Sequence, residues 1–389
     1  MRGTHTLTRP EARRKLVAHL GLDRYRGRGV AATRAVLRRL RCIQLDPLDV
    51  IGTNADLVVM ARIDGARRGD VWRDLFPGYA FEHFAKERCI LPAEAFPRYR
   101  SRGHAAQAPW WRHQEREQRL PPAVINSVLT ELRERGPMTA RDLTDHGAVD
   151  PLDWSGWKGT ARATTMALEI LWTLCDVVVS GRTESGAKLY DIPERSLGST
   201  VAASSGESDK DFNRWALLER VQAAGLLSRA GGSTWSMLSE ARGSSLVDQM
   251  IESRELIEVS VEGSPRHYLA LPGFLEPGPV RYDGRARILG PLDPLLWDRQ
   301  LVRTAFEFDY VWEVYKPEQL RKWGWYVCPI LHRDDLVGRI DARIVDGLLI
   351  VKKVWLERAV DPELVVAAIY RHAERCGCEG VRMRKVRKV

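Results

Sequence analysis

A carboxylate and an amide lie close together in the segment Cys42-Ile-Gln-Leu-Asp-Pro47. Pro47 disfavours the helical region for the residue before it, so the chain around Asp46 is predicted to be extended. Side chains alternate along an extended chain, which would place Gln44 and Asp46 on one face and the apolar Ile43 and Leu45 on the other. A carboxylate and an amide anchored in this way could hold a water molecule beside a reacting carbon atom.

A structural role is the alternative for the same residues. Asp46 followed by Pro47 fits the N-cap and the first residue of a helix, with Asp49 in its first turn. This interpretation predicts a helix that begins at Pro47 and runs toward Arg62. Spacing alone favours the capping role.

The chain has 389 residues, enough for two or three domains. Lys and Arg number 60 against 51 Asp and Glu, a net charge of +9. This surplus suits a polyanionic partner, because each neutralised phosphate releases counterions, although many ordinary enzymes are as basic. The six cysteines show no spacing typical of zinc ligands or of a disulfide framework. We therefore expect neither a metal nor a cofactor.

No membrane segment is predicted. The first residues lack the apolar run of a signal peptide. The most apolar stretch, from Met166 to Val179, is interrupted by Glu169 and Asp176 and is too short to cross a bilayer. We expect a cytoplasmic protein.

The order of predicted elements divides the chain into four parts. Residues 1–120 are predicted to be mostly helical, and residues 280–389 to be strands followed by a helix and an Arg/Lys-rich tail. Residues 121–197 and 205–272 each predict helices followed by two strands around a Gly-containing turn, which is typical of a winged helix-turn-helix. The predicted fold class is α+β, with tandem winged helix-turn-helix units followed by a C-terminal β domain.

Two shorter segments carry specific predictions. Thr139-Ala-Arg-Asp142 has the pattern of a capping box and predicts the start of a helix. The segment from Tyr310 to Tyr315 predicts a strand of the C-terminal domain.

Several motifs resemble one enzyme family. Gln44-Leu-Asp46 matches the glutamine–apolar–aspartate motif of the YcaQ/AlkZ-type DNA glycosylases, which act on alkylated and interstrand-crosslinked DNA. The block Gly290-Pro-Leu-Asp-Pro-Leu-Leu-Trp-Asp-Arg299 is similar to the same family. The resemblance covers essentially the whole chain and extends to Phe306–Tyr310, Gly324–Val327, Leu336–Asp341, Phe81–Pro92 and Trp154–Arg182. It implies three winged helices, the first atypical and carrying the catalytic motif within residues 1–120, and a C-terminal β domain.

The resemblance also implies a reaction. A monofunctional glycosylase would hydrolyse the N-glycosidic bond of N7-alkylguanine, with N3-alkyladenine and interstrand crosslinks as further substrates. Asp46 would stabilise the oxocarbenium-like sugar and take a proton from water, and Gln44 would orient that water. The partner would be double-stranded DNA with alkylated bases, bound by a monomer at the nucleoid. Many relatives have Arg and His where this chain has Thr53 and Ala55, which leaves the substrate range open.

Further side chains are candidates for DNA contact. Lys86, on a predicted helix after Phe84, would meet a phosphate or belong to a solvated basic face. For Arg299 and Arg339 the alternative is a buried ion pair with Asp293, Asp298 or Asp341. For the tail from Arg382 to Lys388, phosphate contact and plain solubility are equally open. The candidates are Asn54, Lys86, Trp157, Lys158, Arg162, Arg299 and Arg339.

Two other function classes compete with a glycosylase. In a winged-helix transcription regulator, Gln44 and Asp46 would be structural and a recognition helix would read the major groove. A nuclease is disfavoured because the sequence has no clustered carboxylates suited to a two-metal site.

Overall fold

The structure is a computed structural model that describes residues 5–104, 113–151, 160–203, 209–276, 278, 280–383 and 387–388. It divides into two compact units. The first comprises Met1–Asp74, Phe84–Cys89 and Arg214–Val389, and the second Leu75–His83 and Ile90–Asn213. The four predicted domain ranges stay a prediction. No helix in the described ranges is long and apolar enough to span a membrane.

The helices of the first unit follow from capping residues and apolar spacing. Thr8 and Glu11 form a capping box at the start of Arg9–His19, and Gly29–Leu40 buries Val36 and Leu37 on one face. Further α-helices of this unit are Asn54–Met60, Ser239–Gly243, Leu246–Glu252, Arg299–Phe306 and Pro362–Arg375. Its 3-10 helices are Ser233–Trp235, Pro272–Leu275, Pro294–Leu296 and Glu318–Leu320. The chain passes between the units within the helices Asp70–Leu75 and Asp209–Ala224 and within the strands Ala80–Ala85 and Glu87–Pro92.

A six-stranded sheet forms the C-terminal part of the first unit. Asp346 and Gly347 both have positive φ and close its central hairpin, as Asp-Gly predicts. Neighbouring strands are antiparallel except where Leu348–Leu356 pairs parallel with the last two. The strands are Ala286–Ile288, Val327–His332, Asp335–Val345, Leu348–Leu356, Gly380–Met383 and Arg387–Lys388. Part of the basic tail, including Arg382, is therefore a strand of this sheet.

Two smaller sheets involve the first unit. The predicted strand–turn–strand within residues 256–271 is confirmed as the antiparallel hairpin Ile257–Val261 and His267–Ala270. His5–Leu7 and Leu227–Ser228 lie at the two edges of that sheet. A three-stranded sheet has the order Ile43–Gln44, Glu87–Pro92 and Ala80–Ala85.

The second unit contains most of the middle of the chain. Its predicted strand–turn–strand is confirmed as the hairpin Val178–Arg182 and Lys188–Asp191. Ala148–Val149 pairs with Ala161–Arg162. Trp172 is buried, stacks on His83 and donates to the carbonyl of Glu82, which anchors the helix Ala163–Leu174. The helices are Ala93–Ala95, Phe96–Gly103, His113–Glu117, Pro122–Arg135, Ala163–Leu174, Pro193–Ser196 and Ser199–Ala203.

Two local predictions away from the segment 42–46 are wrong. Thr139 and Asp142 do bond to each other, but they close a turn and no helix follows before Gly147, whose φ is +87°. The segment from Tyr310 to Tyr315 is irregular, because the carboxylate of Glu313 accepts bonds from the backbone of residues 322–324. The α+β class is confirmed, and the tandem winged-helix arrangement stays a prediction.

Candidate active site

The segment 42–46 lies in the first unit, where sheet pairing and apolar burial hold it. Ile43 and Cys42 are buried, and the backbone N–H of Leu45 donates to the carbonyl of Arg88 at 2.8 Å. The strand ends at Gln44, and residues 45–53 contain no helix or strand. The two candidate catalytic residues thus stand at the end of a short, firmly anchored strand.

Gln44 is held at both its backbone and its side chain. It is only 6% exposed. The Asn54 Nδ2 donates to the Gln44 carbonyl at 2.8 Å, and the Lys86 Nζ donates to Gln44 Oε1 at 3.0 Å. A lysine ammonium can only donate, so this contact orients the amide with Oε1 toward Lys86 and Nε2 away from it.

The block 290–299 closes a ring of contacts around Gln44. Asn54 Oδ1 accepts from the backbone N–H of Leu292 at 3.2 Å, and Trp297 Nε1 donates to the Leu292 carbonyl at 2.9 Å. The Lys86 ammonium lies 5.2 Å from the centroid of the Trp297 ring. Starting from Gln44, the chain of contacts therefore runs through Asn54, Leu292, Trp297 and Lys86 and returns to the same glutamine.

Asp46 is half-buried and has one carboxylate oxygen engaged. Its Oδ1 accepts from the backbone N–H of Leu48 at 2.9 Å. Burial raises the pKa of Asp46, and the Leu48 bond offsets this only in part. The carboxylate is therefore more basic than an exposed aspartate.

The capping role predicted for Asp46 is wrong, as is the helix predicted to begin at Pro47. Residues 45–53 contain no helix. The next helix is Asn54–Met60, and its N-cap is Thr53, which forms a capping box with Asp56. Gly52 has a φ of +113°, a conformation that breaks any helix running through it.

Tyr326 belongs to the surroundings of Asp46. Its side chain is buried, and burial raises its pKa well above the usual range. Nearby acidic groups, among them Asp46 and Asp49, raise it further. The phenol therefore stays neutral within electrostatic reach of the Asp46 carboxylate. Sequence reasoning missed Tyr326 and Trp297, and their only signal was that both lie in the family-like blocks.

The two departures from the family pattern have structural explanations here. Thr53 is the N-cap of Asn54–Met60, and Ala55 is fully buried in that helix. Thr53 fixes the helix start from which the Asn54 side chain reaches back to Gln44.

The structure corrects the predicted placement of Lys86 on a helix and shows the surroundings of Asn54. Lys86 lies between two paired strands, Ala80–Ala85 and Glu87–Pro92, and not on a helix; it is 4% exposed. Asn54 is 1% exposed, with both polar atoms bonded inside the unit. Their predicted roles in DNA binding stay predictions, and in the structure both side chains contact Gln44.

The two arginines of the C-terminal blocks are also held internally. Arg339 is 1% exposed, forms a two-bond ion pair with Glu357 and lies between the rings of Phe308 and Trp323. Arg299 donates to the Pro291 carbonyl and lies 4.3 Å from the centroid of the Tyr310 ring. The sequence offered ion pairs with Asp293, Asp298 or Asp341 as the alternative role of Arg339. Its ion-pair partner is Glu357 instead. Asp293 pairs with Arg62 and Asp298 with Arg266.

The remaining DNA-contact candidates lie in the second predicted domain, residues 121–197. Arg162 immediately precedes the helix Ala163–Leu174, donates to the Ala140 carbonyl and lies near Asp145. Trp157 and Lys158 fall outside the described residues. In the described ranges, no three His, Cys, Asp or Glu side chains are grouped to hold a metal ion.

Comparison with known proteins identifies the family. A sequence model described as DNA glycosylase AlkZ-like matches residues 37–377, which include the segment 42–46 and the block 290–299. The structure of the Streptomyces sahachiroi DNA glycosylase AlkZ aligns with a TM-score of 0.58 and 17% sequence identity, over 99% of this chain and 100% of that chain. The structural likeness shows a shared fold, and the family match spans most of the sequence. This chain therefore belongs to the AlkZ-like family of DNA glycosylases.

Proposed function

We propose that this DNA glycosylase hydrolyses the N-glycosidic bond of alkylated purines in double-stranded DNA, with Asp46 and Gln44 as its catalytic residues. The proposal includes N7-alkylguanine, N3-alkyladenine and interstrand crosslinks, and a monomeric enzyme. The observation that carries it is the state of Asp46. This carboxylate has no helix to cap, is half-buried, and is made more basic by its surroundings.

The reaction follows from the charges. The bond between C1′ and the purine nitrogen breaks, and its electron pair leaves with the alkylated base, which becomes neutral. The sugar carries positive charge in the transition state, and the Asp46 carboxylate stabilises it. A water molecule then forms the new bond at C1′ and transfers a proton to Asp46.

Gln44 would position the attacking water. Its Oε1 accepts from Lys86, so the group directed away from that lysine, which we assign to the water, is the Nε2 amide. That amide would donate to the water oxygen and leave a water proton directed toward Asp46.

An alkylated purine suits this set of groups. A base alkylated at N7 or N3 already carries positive charge, so it leaves without being protonated. A carboxylate and an amide therefore suffice, and neither a general acid for the base nor a metal is needed. A small adduct can be extruded from the stack at a cost of a few kcal/mol. A crosslinked base cannot leave the stack so easily and requires an open site.

The first prediction is that the purified protein releases free 7-methylguanine from a methylated duplex and leaves an intact abasic site. Base release is followed by chromatography, and the abasic site is revealed by cleavage with heat and alkali. The same amount of product is expected with and without EDTA. An undamaged duplex of the same sequence is the control and should release no base.

Other outcomes would contradict this reaction. Strand breaks without heat or alkali would indicate a lyase or a nuclease, and loss of activity with EDTA would indicate a metal. A matched duplex carrying one defined crosslink tests the wider substrate range, because its two strands separate on a denaturing gel only after one bond is hydrolysed.

A further inference from the structure

Lys86 is a buried cation that the proposed reaction does not use directly. The residue is 4% exposed, and its ammonium donates to Gln44 Oε1 at 3.0 Å and lies 5.2 Å from the centroid of the Trp297 ring. No carboxylate lies within ion-pair distance of it among the described residues. A buried ammonium without a carboxylate is costly for the fold, so a purely structural role is a poor explanation.

We propose that Lys86 is a positioning residue that holds the Gln44 amide in one orientation, with Nε2 presented to the substrate water. The inference rests on the proposed function of Gln44. An amide can otherwise exchange its oxygen and nitrogen by rotating about its last side-chain bond, at little cost where nothing distinguishes the two. The Lys86 contact makes the two orientations unequal, because an ammonium facing Nε2 would set two donors against each other.

The contact also depends on the charge of Lys86. Burial lowers the pKa of Lys86 to about 8, and the titratable groups near enough to affect it are Cys89, Arg220, Glu87 and Cys42. Arg220 lowers this pKa, whereas Glu87 and the cysteines raise it. Below about pH 8 the side chain is an ammonium that donates a strong bond to Gln44. Above that pH it becomes a neutral amine that can also accept, and the preference between the two amide orientations is lost.

A double-mutant cycle tests the route of this effect. Lys86→Met is expected to reduce the single-turnover excision rate at saturating enzyme by about 10- to 100-fold, the scale of a misplaced reacting group. In the Gln44→Ala background the same substitution should change the rate by less than about 2-fold, because no amide is left to position. Lys86→Arg, which keeps a permanent donor, should restore part of the rate and remove the decline that the wild type shows above about pH 8.

Three results would overturn the proposal. Equal losses from Lys86→Met in both backgrounds would show that Lys86 acts independently of Gln44. A loss confined to DNA affinity, with the saturated rate unchanged, would show a phosphate contact instead. A covalent complex trapped by borohydride would show that the amine attacks the sugar itself.

A titration of Lys86, which does not depend on base excision, separates this inference from the proposed function. The Lys86 Nζ resonance, or its adjacent carbon, should titrate near pH 8 in the wild type and at lower pH in Gln44→Ala, because the accepting oxygen is gone. A titration near that of an exposed lysine, or one unaffected by Gln44→Ala, would refute the Lys86–Gln44 contact even in a protein that excises alkylated bases. A protein that passes this test but excises nothing would retain the contact and lose the proposed function.

Discussion

At the scale of single residues, the site combines one basic carboxylate with one oriented amide. Burial disfavours the ionised form of Asp46 and so raises its pKa, while the Leu48 N–H keeps one oxygen fixed. A carboxylate whose folded pKa lies above the unfolded value stabilises the fold only when it is protonated. That contribution is present at low pH and is lost as the pH rises through the folded pKa. Ionised Asp46 is therefore a cost to folding near neutral pH, as expected of a carboxylate kept for the proposed reaction.

This cost predicts opposite effects of Asp46→Asn on activity and stability. Asn removes the negative charge but can still accept from Leu48, so excision should fall about 10²–10³-fold, roughly 3–4 kcal/mol, while the melting temperature stays the same or rises. Wild-type excision should also decline as the pH is lowered through the raised pKa of Asp46, because the carboxylate must be ionised. Single-turnover rates across pH and thermal melts provide both readouts.

The chain offers a matched control for this substitution. Asp361 is also followed by a proline and accepts from the backbone N–H two residues later, but it is the true N-cap of Pro362–Arg375. Asn caps helices about as well as Asp, so Asp361→Asn should leave both excision and melting unchanged. Unchanged excision in Asp46→Asn as well would remove Asp46 from the reaction.

At the scale of elements, the candidate active site depends on the contact between the start of the helix Asn54–Met60 and the block 290–299. Asn54 begins the helix Asn54–Met60 and bridges the Gln44 carbonyl to the Leu292 N–H. Gly290 lets these parts approach, since a Cβ at this position would lie 2.5 Å from Asn54 Oδ1 and 3.1 Å from Leu57 Cβ. The absence of a side chain at Gly290 is thus a requirement of packing around Asn54.

Gly290→Ala should therefore disturb the site through Asn54. We expect about 1–3 kcal/mol of destabilisation, the usual range for overpacking, together with a lower excision rate. Gly243→Ala is the control, because Gly243 is exposed and a Cβ there meets nothing within 4 Å. Thermal melts and single-turnover excision measure the two effects.

Making Gly290→Ala in a protein that already carries Asn54→Ala identifies the group that the added methyl group would clash with. In Asn54→Ala the amide is absent, so adding the methyl group at Gly290 should cost less than it does in the wild type. Equal costs in the two backgrounds would show that Leu57, not Asn54, limits the space at Gly290.

At the scale of the whole molecule, the net charge of +9 is the property that bears most directly on a DNA substrate. Arginines and lysines that neutralise phosphates release counterions, which gives affinity without sequence preference. A repair enzyme needs this kind of binding, because a lesion can occur in any sequence. A transcription regulator would instead prefer one operator, and the family match does not favour that alternative.

We therefore expect binding to undamaged duplex that is independent of sequence and weakens steeply with salt. The logarithm of the binding constant should fall linearly with the logarithm of the salt concentration, with a slope near −0.9 for each phosphate neutralised. Fluorescence anisotropy with several unrelated duplexes measures this slope. Selection from a random pool that converges on one tightly bound sequence would support the regulator instead.

The sequence by itself determined the family, the α+β class and most of the elements. Capping boxes, apolar periodicity and turn residues are local signals, so the helix Gly29–Leu40, the hairpin at Asp346-Gly347 and both predicted strand–turn–strand units could be predicted. The Gln44 and Asp46 candidates also came from the sequence, through their spacing and the family motif.

Only the tertiary structure decided that Asp46 caps no helix and which side chains surround Gln44. Asp46-Pro47 and Asp361-Pro362 are the same dipeptide with the same local hydrogen bond, yet a helix follows only the second. The contacts that hold Gln44 come from Asn54, Lys86 and the block 290–299, which are far apart along the chain. Local patterns carry no record of such contacts, because burial and the partner of each polar group are set by distant segments that pack together.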